Sequence, residues 1–215
     1  PLMLGIVSMS IMSGKQITKT GKYKIFPIIG AALMTIGLLL MTTLTENTSF
    51  WILSGYAVLV GAGLGLSMQT IVIALQNSVD FADMGVATSS NTFFRSLGGA
   101  FGTAIFGTIF SNRVAYFLED GLTKLATTNP TALDGFDRTK LDQLTTNTSG
   151  IATLPSPIRE TVLHGFVQTF HLVFLAAAPV TFIGFLLAFL LKEKPLQSSA
   201  AHHAAKSEAA GEAVG

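Results

Sequence analysis

No charged residue occurs between Phe26 and Leu44, or between Trp51 and Val79. A helix rises 1.5 Å per residue, so a hydrocarbon core about 30 Å thick is crossed by about 20 apolar residues. Both runs are long enough to cross. Val86–Phe110 also qualifies, with Arg95 as its one charge, and so does Phe166–Leu191, uncharged when His171 is neutral. Pro1–Ser13 is apolar but short, and reads as the tail of a span cut inside a helix. The expected fold is an all-α polytopic transmembrane bundle of about five spans, the first truncated.

Composition agrees. Of 215 residues, 12% are charged and 49% hydrophobic, whereas soluble domains carry about 25% charged residues. A single core of this size does not hide that much apolar surface. The chain has no cysteine, which removes disulfide frameworks and thiolate metal sites, and no metal or cofactor is expected. A net charge of +1 gives no support to a nucleic-acid partner. The start at Pro1 lacks the basic region and small-residue cleavage site of a signal peptide. It reads instead as a fragment, whose missing N-terminal part would be a partner beside the lipid bilayer.

Orientation follows from lysine and arginine in short loops. Residues 14–25 hold Lys15, Lys19, Lys22 and Lys24 and no acid, so this basic loop is placed in the cytoplasm. Three transmembrane helices are then expected over 26–110, an extracytoplasmic loop over 111–165, a last helix over 166–191 and a disordered cytoplasmic tail over 192–215. Lys192 and Lys194 agree with that parity. The long loop is broken by Pro130, Pro155 and Pro157, and Val114–Leu125 could form a short amphipathic helix in it. Asn47-Thr-Ser and Asn147-Thr-Ser match the glycosylation pattern on the outer side, which has meaning only in a eukaryotic secretory route. His202 and His203 are too few to hold a metal.

Inside lipid, small and polar residues carry the information, because apolar side chains gain nothing by facing one another. In the span Trp51–Val79, Ser54, Gly61, Gly65, Gln69, Val72 and Gln76 share one face. Its glycines let another backbone approach. Its amides need partners that lipid cannot supply. Either Gln69 and Gln76, with Met68 beside them, line a solute pathway, or the two amides bond to neighbouring helices.

In the next span, Thr88, Asn91, Arg95, Gly98, Gly99 and Gly102 share a face, while Phe93, Leu97, Phe101 and Ile105 lie on another. The Gly98–Gly102 spacing permits close helix crossing. Arg95 lies roughly 15 Å from the cytoplasmic end of its helix, where an arginine costs about 2.5–3.5 kcal/mol on insertion scales. It therefore calls for a partner or a wet cavity. No complete span contains Asp or Glu, so an acidic partner would be Asp80, Asp83 or a residue beyond this sequence. A gating or solute-facing role, an interhelix bond and snorkelling stay open for it. His164, Gln168 and His171 form a stripe at the outer end of the last span, as interhelix bonds or a proton relay. Pro179 is expected to kink that span.

The stretches "PLMLGIVSMSIMSGKQITKTGKYKIFPIIG", "GAGLGLSMQTIVIALQNSV", "GVATSSNTFFRSLGGAFGTAIFG" and "HGFVQTFHLVFLAAAPV" together resemble the C-terminal end of a major facilitator superfamily transporter. They are most similar to its fourteen-helix drug:proton antiporter branch. The resemblance implies about nine further helices upstream, inverted repeats and alternating access, a bacterial plasma-membrane location, export of a small-molecule solute and protons as coupling ion. It also implies that Trp51–Val79 lines the central cavity. The basic loop resembles the superfamily's loop of glycine, acid and basic residues. It keeps Gly14, Gly21, Lys22 and Lys24 but has Thr18 where the pattern carries an aspartate, which puts a charge relay through that acid in doubt. With no carboxylate in a complete span, proton coupling falls to the missing part or to His164 and His171.

Two other functions compete with export. A membrane enzyme needs clustered carboxylates, a nucleophile–base pair or metal ligands, which this chain lacks. A non-transporting scaffold or receptor fits poorly with amides facing a cavity.

Overall fold

A computed structural model describes residues 1–129, 150–151 and 154–193. Pro130, the Asn147 motif, Lys194 and the histidine pair His202–His203 lie outside the described residues. Five helices follow in order: α1 (Leu2–Thr20), α2 (Ile25–Met41), α3 (Phe50–Gln76), α4 (Met84–Thr128) and α5 (Ser156–Phe189), with a short 3₁₀ turn at Phe81–Asp83 before α4. Three of them, α3, α4 and α5, are long and apolar enough to cross a membrane, and α2 is apolar but shorter. The expected all-α class holds among the described residues.

Several boundaries differ from the expected ones, each for a local reason. α1 does not stop at Ser13. Lys15, Gln16 and Lys19 are good helix formers, and the helix runs on until Gly21. That glycine takes the left-handed conformation at φ 70° and returns its N–H to the Ile17 carbonyl at 2.8 Å, a glycine C-terminal cap. The basic loop thus shrinks to four residues, with Lys15 and Lys19 on the last turns of α1.

The larger difference is α4. It continues without a break through Ser111 to Thr128, 45 residues in all, or roughly 67 Å at helical rise. α5 begins early, at Ser156, with Pro157 in its first turn, where a missing N–H costs nothing. It also continues across Pro179. Much of the span expected as loop is therefore a helical hairpin. Its two arms bury Val114, Leu118 and Leu122 of α4 against Ile158, Val162 and Phe166 of α5, with Ile151 closing the end. The amphipathic segment expected at Val114–Leu125 is the far half of α4 itself.

The bundle is ordered α1, α3, α2, α5, α4 in space. Glycines set the close contacts at its centre. A β-carbon on Gly61 or Gly65 would strike the carbonyls of Leu2 and Ile6 of α1, and one on Gly5 would strike α3 in return. Across α2 and α3, Gly30 and Gly63 face each other in the same manner. Two buried hydroxyls are satisfied locally: Thr70 donates to the Leu66 carbonyl at 2.6 Å and Thr169 to the Gly165 carbonyl at 2.8 Å, the usual i−4 bond of a threonine inside a helix. Thr35 of α2 and Thr181 of α5 bring their hydroxyls to 3.2 Å.

At the end carrying Gly21–Lys24, Tyr23 is fully buried among Ile17, Ala74, Phe26 and Leu191. Its hydroxyl donates to the Lys192 carbonyl at 3.3 Å. One aromatic side chain thus joins the ends of α1, α3 and α5 beside the start of α2. This end is called basic below, and the opposite one the far end.

Candidate functional site

The α3 stripe divides in two. Its upper part, Gly61 and Gly65, is buried against α1 and serves packing. One turn further on, Met68 is 37% exposed and Gln69 is exposed as well. The stripe has left the α1 seam at this depth. Gln76, at the foot of α3, is half-buried and places its amide nitrogen 3.4 Å from the Thr88 hydroxyl of α4. The two glutamines therefore have different surroundings. Gln69 is open, while Gln76 ties the foot of α3 to the foot of α4.

Between that tie and the hairpin core, α4 touches little. Gly98, Gly99 and Gly102 have nothing within 4 Å of where a β-carbon would stand. Arg95 is exposed beside them and Asn91 half-buried. No described helix covers the Asn91–Gly102 face, nor does a carboxylate pair with Arg95 among the described residues. Phe93, Phe101 and Ile105 on the other side are 61%, 60% and 55% exposed, so lipid suits that flank whereas the arginine flank requires polar cover. Asp80 and Asp83 sit beyond the foot of the helix and form no ion pair with it.

At the far end a second polar group assembles around the α2–α3 connector. His164 Nδ1 lies 2.6 Å from Glu46 Oε1. The Gln168 amide nitrogen is 3.5 Å from His164 Nε2. His171, two turns along α5, donates from Nε2 to the Leu44 carbonyl. The stripe expected on α5 is thus brought together by one connector. Glu46 was missed by the sequence reading, although it is the sole acid in that short link.

Next to this pair, a cavity of about 730 Å³ opens between the connector and the hairpin, lined among others by Glu46, Phe117, Asp120, Lys124, Glu160 and His164. Lys124 binds Asp120 at 2.6 Å. The hydrogen bond it donates to Asp120, and then the charge of that carboxylate, hold the Lys124 ammonium pKa above the usual lysine value.

In the basic loop, Gly14 lies inside α1 with open space around it and Gly21 is the cap. Lys22 is exposed and Lys24 half-buried. Thr18, at the aspartate position of the resembled pattern, donates to the Gly14 carbonyl at 2.9 Å, a bond internal to its own helix. Gly5, Gly30 and Gly63 were missed as packing residues. Their signal was present only as a small residue on each of two helices whose pairing was unknown.

A row of apolar helices joined through glycine–backbone contacts and a few polar ties defines a polytopic helical membrane protein. Over 196 residues, 91% of its length, the chain is 39% identical to an MFS-type transporter of Mycobacterium tuberculosis. It is 29% identical over its full length to the multidrug transporter protein MdtP of Bacillus subtilis, and 29% identical over 90% of its length to a tetracycline resistance determinant of Streptomyces rimosus. The resemblance to major facilitator drug-efflux proteins therefore extends along nearly the whole chain. These relatives are transporters and resistance proteins, not enzymes. The chain spans 27%, 42% and 60% of their respective lengths. No family model matches the sequence, and no solved structure matches it.

Proposed function

We propose that the protein is a secondary active transporter that exports drugs or other hydrophobic or cationic small molecules by proton antiport and alternating access. In this reading the basic end faces the cytoplasm of a bacterial plasma membrane and the far end faces outward. The observation that carries it is the similarity, along nearly all of the chain, to proteins named as a multidrug transporter and a tetracycline resistance determinant. The uncovered polar face of α4, with the open Gln69 on α3, supplies surfaces for a solute path.

Gln69→Ala in the full-length protein is expected to slow dye efflux about two- to tenfold, the loss of one hydrogen bond of about 0.5–1.5 kcal/mol. Gln76→Ala should instead loosen the α3–α4 foot. Unchanged efflux and substrate profile in Gln69→Ala would remove Gln69 from the path. Arg95→Ala is expected to cut turnover per molecule by about tenfold or more, as for a hydrogen-bonded charge, at unchanged protein level. A lower protein level with turnover per molecule intact would make Arg95 a packing residue.

A further inference from the structure

We infer that Glu46 and His164 form a proton-binding latch at the far end of the bundle, with His171 as its backbone anchor. The latch fastens the α2–α3 connector onto α5. The inference deepens the export reading by giving the outward end a titratable site, and its test does not depend on transport.

The geometry separates the roles of the two histidines. His171 gives its Nε2 hydrogen to a backbone carbonyl. A carbonyl can accept from a neutral imidazole carrying that hydrogen as well as from an imidazolium, so this bond needs no second ring proton. His164 faces a carboxylate at 2.6 Å. With one ring proton on Nδ1 the contact is a hydrogen bond to the Glu46 carboxylate, in which only the acceptor is charged, and the Gln168 amide can donate to the free Nε2. A second proton on Nε2 makes both partners charged, an exposed ion pair worth about 0.2–1 kcal/mol, and turns the Gln168 amide to present its oxygen. Imidazole is the side chain whose charge ordinarily changes between pH 5 and 8.

The charges around His164 come from every neighbouring element. Glu46 stands on the connector. Glu160 lies one turn back on α5 and accepts from Ser156 at 3.1 Å. Asp120 of α4 is occupied by Lys124 at 2.6 Å. Glu46 is therefore the carboxylate left to receive the imidazolium. The connector is short and held by few bonds of its own, between Thr45 and Thr48: Thr48 N–H to the Thr45 carbonyl at 3.0 Å, Thr45 N–H to the Thr48 hydroxyl at 2.7 Å, and the two hydroxyls to each other at 3.0 Å. Its opening is reported by the exchange of those amides.

The test is amide hydrogen exchange of residues 42–50 in the full-length protein in lipid nanodiscs. Wild type is compared at pH 5.5 and at pH 7.5 with His164→Gln, Glu46→Gln and the double variant, each ratio taken at a single pH. His164 is 63% exposed, so the pair belongs among exposed ion pairs. Wild type should exchange about two- to fivefold more slowly than either single variant at pH 5.5, and the ratio should shrink at pH 7.5. The double variant should match the singles. His164→Arg, a permanent cation, should hold the connector closed at both pH values, and His171→Gln should loosen it at both. A ratio that is the same at both pH values, additive single variants, or His164→Arg behaving like His164→Gln would each overturn the latch. Absence of efflux from the wild type with the exchange pattern intact would count against the export reading alone.

Discussion

Gly65→Val is expected to lower the stability of the full-length protein by about 3 kcal/mol, the upper part of the usual overpacking range. At about 2–4 °C per kcal/mol for a domain of this size, that is a fall of roughly 6–12 °C in Tm, read by thermal unfolding in detergent. The cause lies in what the new side chain meets. A β-carbon at Gly65 strikes the carbonyl and α-carbon of Ile6, which are backbone atoms and cannot rotate away. The α1–α3 seam must open to admit it. Gly61→Val should behave alike through Leu2. Gly98→Ala makes the contrast, because its β-carbon meets nothing among the described residues. If Gly65→Val left Tm unchanged, α1 would not lie on α3 as found.

Tyr23→Ala is the second large effect. Removing a fully buried aromatic ring costs about 3–5 kcal/mol, or roughly 6–20 °C on the same scale. Tyr23→Phe keeps the ring and loses the hydroxyl bond to Lys192, about 1 kcal/mol. The ordering Ala well below Phe, and Phe just below wild type, identifies the ring as the main contributor. Equal losses in both variants would transfer that weight to the hydroxyl.

The membrane class and the approximate place of each apolar run were legible in the sequence, because a bilayer demands length and apolarity and both are local properties. The helix ends were less so. Gly21 announces its cap, but nothing in Ser111–Thr128 marks an end for a helix that simply continues. Its charged residues Arg113, Glu119, Asp120 and Lys124 look like loop composition and are the solvated side of an amphipathic arm. The α3 stripe was readable as a face, but not the point where that face leaves α1. Pairwise partners were hardest. Glu46 and His164 lie 118 residues apart, and no local pattern joins them. The Gly98–Gly102 pair looked as much like a packing seam as Gly61–Gly65 did, yet only the latter meets another described helix.

The unbroken course of α4 makes it a lever. It is pinned by the hairpin core near Leu118 and tied lightly at Thr88, thirty residues or roughly 45 Å away. A rotation of about 5° at the pinned end sweeps the foot through about 4 Å, more than the reach of the Gln76–Thr88 bond. Small events in the polar arm around Leu118 are thus magnified at the foot of the helix, with Arg95 carried along the stroke.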